Sequence, residues 1–149
     1  MSTTTSSGRR PLRPQGINHL TFAVTDLERS IGFYTGVLGL ELVARWTRGA
    51  YLLAGNDWVC LSRDAQMPVP PQAGYTHAAF TVDQADMEAY RQQVDAHGVR
   101  VWRSNQSEGD SLYLLDPDGH QLELHVGSLQ TRLQAVAAQP YDGWVCYRR

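Results

Sequence analysis

Cysteine is scarce in this chain: Cys60 and Cys146 are the only two. That excludes a disulfide framework and fits a reducing cytoplasm. No apolar run approaches the roughly 20 residues of a membrane-spanning helix. The start has no continuous apolar stretch of the kind a secretory signal needs. Neither sign of charge dominates, since 13 basic and 15 acidic residues leave a formal charge of −2 and a pI near 6.2. This balance gives no electrostatic basis for binding nucleic acid or an anionic membrane. Residues 1–15 lack acids, carry Arg9, Arg10 and Arg13, and have only Met1 and Leu12 as large apolar groups. Such a segment buries too little surface to offset its ordering entropy and reads as a flexible tail. Residues 16–149 suffice for one domain with a real core.

What is present is a repeat. Ile17 to Val24 reads as a strand, and Thr25 with Glu28 has capping-box spacing for a helix running to about Val37. Leu27, Ile31, Tyr34 and Leu38 form its apolar stripe. Strands are expected over Leu40–Trp46, Ala50–Ala54 and Trp58–Ser62, then a proline-rich linker over 64–74. The order begins again with a strand over Tyr75–Val82 and a helix capped by Asp83 that ends near His97. Strands over Val99–Arg103, Ser111–Leu115 and Gln121–Val126 follow, and a C-terminal helix over about 128–138. His19, Phe22 and Val24 recur as His77, Phe80 and Val82 at identical offsets. Two βαβββ units, about 17–63 and 75–126, account for most of the domain. The expected class is therefore α+β, with paired units curving a mixed sheet around a cleft.

The Phe/Val face of each opening strand suits the helix, which leaves the histidine face for the cleft. In the last strand Leu122 and Leu124 take one face and Gln121, Glu123 and His125 the other. His19, His77 and Glu123 then make a 2-His-1-carboxylate set with positions left for water or substrate. With no thiolate in it, the set suits a hard or borderline ion such as Mn²⁺ better than structural zinc. Cys60 or Leu61 takes the place in the first unit that Glu123 takes in the second, so three ligands are expected. Cys60 reads as a small buried residue rather than a fourth ligand, and His125 is held in reserve. The loop from Asn105 to Ser111 offers oxygens around Gly109, which suits either a hard-cation site or an exposed connection. Arg103, Ser107, Tyr113 and Arg132 could converge on a phosphate or phosphonate, the alternative being surface arginines.

Taken together these residues resemble the vicinal oxygen chelate superfamily, and within it the fosfomycin-resistance glutathione transferases. The resemblance covers about Gly16 to Tyr147. It rests on Asn18-His-Leu-Thr21, Arg45-Trp46, Gly49-Ala-Tyr51, Tyr75-Thr-His77, Ser107-Glu-Gly-Asp-Ser111, Asp116-Pro-Asp-Gly-His120 and Leu122-Glu-Leu-His-Val-Gly127. It implies Mn²⁺ on His19, His77 and Glu123, and an activating K⁺ held by Asn105, Ser107, Glu108, Gly109 and Ser111. It also implies drug contacts from Thr21, Trp58, Ser107, Tyr113 and Arg132, and a domain-exchanged homodimer in which His19 of one chain joins His77 and Glu123 of the other. The implied activity is glutathione addition to the epoxide of fosfomycin in the cytoplasm, with Tyr51 or Thr21 orienting the sulfur. The alternatives are another thiol or water as nucleophile, or a drug-sequestering protein of the same fold. Two positions depart from the family pattern: Arg103 stands where lysine is usual, and Ala78 where tyrosine is common.

Overall fold

The computed structural model describes residues 12–71, 74–106 and 108–148. The expected tail over 1–15 falls mostly outside them, as does Ser107. Two βαβββ units are present in the order expected. The first comprises β1 (His19–Val24), α1 (Leu27–Gly36), β2 (Glu41–Trp46), β3 (Gly49–Ala54) and β4 (Asp57–Arg63). The second comprises β5 (Ala78–Thr81), α2 (Met87–Ala96), β6 (Val101–Arg103), β7 (Ser111–Leu115) and β8 (Gln121–His125), and α3 (Leu129–Ala138) closes the chain.

Each unit makes its own four-stranded mixed sheet, ordered β1-β4-β3-β2 and β5-β8-β7-β6. The α+β class and the paired, mixed-sheet units expected are thus both present, one sheet to each unit. The helices cover the predicted faces: Leu27, Ile31, Tyr34 and Leu38 are all buried, and Met87 and Val94 anchor α2. Phe22 stacks on Tyr34 at 5.6 Å. Leu114, Leu122 and Leu124 of the second sheet belong to the same apolar cluster, so the helix-covered sides share one core. On the opposite side His19, Thr21 and Tyr51 are exposed in the first sheet, whereas Ser111, Tyr113 and Glu123 are buried in the second.

Two caps differ from expectation. Asp26, not Thr25, caps α1, its carboxylate accepting the Arg29 N–H at 3.1 Å. Thr25 is drawn away by Asp118, which accepts its backbone N–H at 3.1 Å and its hydroxyl at 2.5 Å. Asp83 makes no side-chain cap bond and precedes a 3-10 turn over Gln84–Asp86, and α2 begins only at Met87.

The turn between β7 and β8 clasps the first unit. Asp116 and Asp118 are fully buried. Asp116 accepts the Tyr34 hydroxyl at 2.8 Å, Arg29 reaches Asp118 at 3.0 Å, and His120 Nε2 lies 2.7 Å from the Ala23 carbonyl. Burial, first, raises the Asp116 carboxyl above its ordinary range despite these donors. Tyr34→Phe is expected to cost about 1–3 kcal/mol, because it strips a donor from a buried acid. Urea denaturation would measure it, and an unchanged midpoint would show the bond to be dispensable.

Candidate functional site

The open face of the first sheet is built by strand alternation. Cross-strand register aligns His19 with Trp58, and Thr21 with Cys60 and Tyr51. Ring contacts run from His19 to Trp58 at 4.2 Å, on to Tyr51 at 5.1 Å, and on to Trp46 at 4.7 Å. Thr21, Tyr51 and Trp58 thus share the His19 face.

The second sheet repeats the plan. Ala79 pairs with Glu123 as Thr21 pairs with Cys60, so Cys60 rather than Leu61 is the counterpart of the carboxylate. Cys60 is half-buried and leans toward the Leu61 carbonyl at 3.8 Å. Glu123 is buried, with Oε2 2.9 Å from His77 Nε2. Tyr113 sits opposite Glu123 and 6.1 Å from the His77 ring. Ala78 packs toward the apolar core instead of toward the site.

Arg103 lies on this second face. Its guanidinium carbon stands 4.4 Å from the Tyr75 ring centroid and 5.9 Å from that of Tyr113. Trp102, which sequence reasoning missed, lies beside His77 at 5.6 Å and donates its indole N–H to the Leu122 carbonyl. The cause is a bulge in β6. Val101 pairs with Leu114 but Arg103 with Tyr113, so two residues oppose one and strict alternation fails.

Three buried polar atoms lack a hydrogen-bond partner among the described residues: Ser30 Oγ, Trp58 Nε1 and Arg103 Nε. Two of the three belong to expected substrate contacts, one on each open face. A buried donor without an acceptor costs about 1–3 kcal/mol, and an anionic or oxygen-rich ligand would remove that cost.

The described residues of the loop, Asn105, Gln106 and 108–111, are held by local bonds. Asn105 donates to the Gly109 carbonyl at 2.8 Å, and Gly109 has φ +78°. Glu108 accepts from Arg132 Nε at 3.1 Å, and its carbonyl accepts from the same guanidinium at 3.3 Å. The Ser111 hydroxyl turns inward to Glu123 at 2.7 Å. Of the expected loop and substrate residues, Ser107 alone lies outside the described residues.

The expected metal triad divides in two. His77 and Glu123 meet, whereas His19 faces Trp58 in the other unit. Among the described residues of one chain no three His, Cys, Asp or Glu side chains stand ready for a metal. The tautomers are nonetheless informative. His19 Nδ1 is 2.7 Å from Asn18 Oδ1, and His77 Nδ1 is 2.7 Å from the Tyr75 carbonyl. The tautomer protonated at Nδ1 fits both contacts and would leave Nε2 as an electron-pair donor. His77 Nε2 and Glu123 Oε2, both electron-rich, stand 2.9 Å apart. The donor set of imidazole nitrogen and carboxylate oxygen suits a divalent metal.

A cleft of about 840 Å³ runs between the outer edges of β1 and β5 and takes in His19 and Trp58. It does not reach His77 or Glu123, so the chemistry is placed by the side chains and not by this cavity. No helix among the described residues is long and apolar enough to cross a membrane.

Comparison with known proteins gives a consistent result. Residues 16–124 match the model of the Glyoxalase/Bleomycin resistance protein/Dioxygenase superfamily. The chain is 56% identical to Glutathione transferase FosA of Serratia marcescens over 133 residues, covering 88% of this chain and 94% of that one. It is 34% identical to Metallothiol transferase FosB of Staphylococcus saprophyticus, covering 80% of this chain and 82% of that one. Among solved structures, the fosfomycin resistance protein FosX of Mesorhizobium loti superposes with a TM-score of 0.70 at 34% identity, over 81% of this chain and 99% of that one. FosX of Listeria monocytogenes, in complex with Mn(II) and 1S,2S-dihydroxypropylphosphonic acid, gives 0.73 at 26% identity, over 83% and 98%. The repeated units, their open faces and these matches agree: the chain belongs to the Glyoxalase/Bleomycin resistance protein/Dioxygenase superfamily.

Proposed function

We propose that this chain is a cytoplasmic, metal-dependent glutathione transferase that opens the epoxide of fosfomycin and so gives resistance to it. The observation that carries this reading is the 56% identity to Glutathione transferase FosA across nearly the whole of both chains. The orphaned donors Trp58 Nε1 and Arg103 Nε support it from within the molecule.

His77 and Glu123 would hold the metal with His19 of a second copy, giving a homodimer with shared sites. Support comes from the packing. Both units of one chain contribute to a single apolar cluster, and within that chain His19 does not join His77 and Glu123 in one ligand group. Exposed apolar groups border the first unit's open face and edges, among them Ile17, Leu20, Val43 and Trp46. A divalent ion, Mn²⁺ by the Listeria precedent, supplies Lewis acidity toward the oxirane oxygen when bound.

The chain's own residues bind and orient. Arg103 and Arg132, with Ser107 and Tyr113, take the phosphonate and offset charge that would repel a thiolate. Glu108 fixes the guanidinium plane of Arg132, so this group is preorganised. The loop residues Asn105, Ser107, Glu108, Gly109 and Ser111 would seat K⁺ beside it. Trp58 lies against the drug, and Tyr51 or Thr21 orients the incoming sulfur on the His19 face. In the reaction the carbon–sulfur bond forms as the carbon–oxygen bond breaks, and the thiol proton ends on the new hydroxyl.

Water as the nucleophile is the second reading, favoured by the dihydroxypropylphosphonic acid in the Listeria complex. Hydration requires a base to take the water proton. The Gly49–Tyr51 segment of β3, one strand removed from Thr21, supplies no carboxylate. Mass spectrometry of fosfomycin incubated with the Mn²⁺-loaded protein decides between them. The glutathione adduct is expected with glutathione present and no conversion without it. A diol formed at the same rate with or without thiol would overturn the reading.

A further inference from the structure

Glu123 uses Oε2 toward His77, and its other oxygen has a separate set of neighbours. Ser111 Oγ lies 2.7 Å from Oε1 and 2.6 Å from His125 Nδ1. The direct His125 Nδ1–Oε1 separation is longer, 3.4 Å. A hydroxyl has one proton to give, and a carboxylate oxygen accepts only. Ser111 therefore donates to Glu123 and accepts from the Nδ1–H of His125, which gives the chain of bonds one direction.

The imidazole of His125 is in turn enclosed by glycines. A Cβ on Gly109 would stand 3.0 Å from His125 Cε1 and 2.3 Å from the Val126 carbonyl oxygen. A Cβ on Gly127 would stand 3.0 Å from His125 Nε2. Both glycines have positive φ, +78° and +137°. The loop 105–111 thus folds onto this ring more closely than any side chain would permit. On its far side Asp110 is clamped by Arg91 at 2.6 Å and Gln84 at 3.1 Å, and its carbonyl accepts the Val126 N–H at 2.9 Å. Arg91, first through this hydrogen bond, lowers the Asp110 carboxyl below its ordinary range.

We propose that His125 and Ser111 are positioning residues: a directional hydrogen-bond relay that orients Glu123 and couples it to the 105–111 loop. This rests on the reading of Glu123 as a metal ligand and of the loop as a monovalent-cation seat. His125 is then not a ligand itself, because its Nδ1 is committed to Ser111 and its Nε2 lies against Gly127. Linkage is reciprocal, so a cation that orders the loop tightens the divalent metal, and the divalent metal tightens the cation.

The test uses the full chain and the free-ion electron paramagnetic resonance signal of Mn²⁺, read in KCl and in tetramethylammonium chloride. In the wild type K⁺ is expected to tighten Mn²⁺. Ser111→Ala and His125→Phe are expected to weaken Mn²⁺ about 10- to 100-fold, the usual cost of losing an outer partner of a metal ligand, and to abolish the K⁺ effect. His125→Asn keeps a donor near the place of Nδ1 and should recover most of the affinity. If His125→Phe does not fold, Ser111→Ala with His125→Asn carries the same comparison. Wild-type affinity indifferent to K⁺, or Ser111→Ala matching the wild type in both salts, overturns the relay. Glu123→Ala separates the two levels. Mn²⁺ lost there but kept in the relay variants overturns the relay alone, whereas Mn²⁺ kept in Glu123→Ala overturns the metal reading and the relay with it.

Discussion

Glu123→Ala is expected to abolish stoichiometric Mn²⁺ binding and to lower kcat/KM for fosfomycin by about a thousandfold or more. Lewis-acid stabilisation is worth several kcal/mol, and each 1.4 kcal/mol is a factor of ten in rate. The size follows from the site's construction. Among the described residues Glu123 is the one carboxylate that faces the His77 Nε2, and it is buried among partners that hold its orientation. Its counterpart in the first unit is Cys60, so no second carboxylate stands in the equivalent place. His19→Ala and His77→Ala should lose activity similarly. Metal analysis of the purified variants checks this, and Glu123→Ala with full metal content would contradict it.

Arg103→Ala is expected to raise KM for fosfomycin about 10- to 100-fold, from a charge-assisted contribution of roughly 1.5–3 kcal/mol. The chain places a planar guanidinium over Tyr75 and leaves its Nε buried without an acceptor among the described residues. A phosphonate oxygen would satisfy that donor. Arg103→Lys keeps the charge and loses the fork and the stacking, so its KM should change less than tenfold. Steady-state kinetics separates the two variants. An Arg103→Ala protein with wild-type constants would remove Arg103 from the site.

Much of this was legible in the sequence because it is local. The recurrence of His, Phe and Val in the two opening strands reports period-2 alternation, which the backbone enforces. It gave both units, the helix-facing side of each and the histidine face. The Asp-Pro-Asp-Gly turn and the strands either side of it appear as expected. What escaped is non-local. Thr25 has the spacing of a cap, but Asp118, 93 residues away, claims its hydroxyl, and nothing in the first strand announces that partner. Trp102 escaped because a one-residue bulge in β6 breaks the alternation that had been used to sort faces. The division of the sheet between the two units is not written in the repeat either, because repeat symmetry says which faces are open and not which open faces meet. Ser111 reads from sequence as a loop oxygen, yet its hydroxyl points to Glu123, a residue on the neighbouring strand.

In the proposed dimer one reactive centre is assembled from the half-sites of two copies, His19 from one and His77 with Glu123 from the other. Co-expressing His19→Ala and Glu123→Ala chains with different affinity tags, and purifying the dimers that carry both tags, tests it directly. Each parent should be inactive in the Mn²⁺ and glutathione assay. In the mixed dimer one of the two sites regains all three ligands, so about half the wild-type fosfomycin turnover per dimer is expected from twofold symmetry. A mixed dimer as inactive as its parents would contradict the shared site, because it is the result required if every chain builds its own.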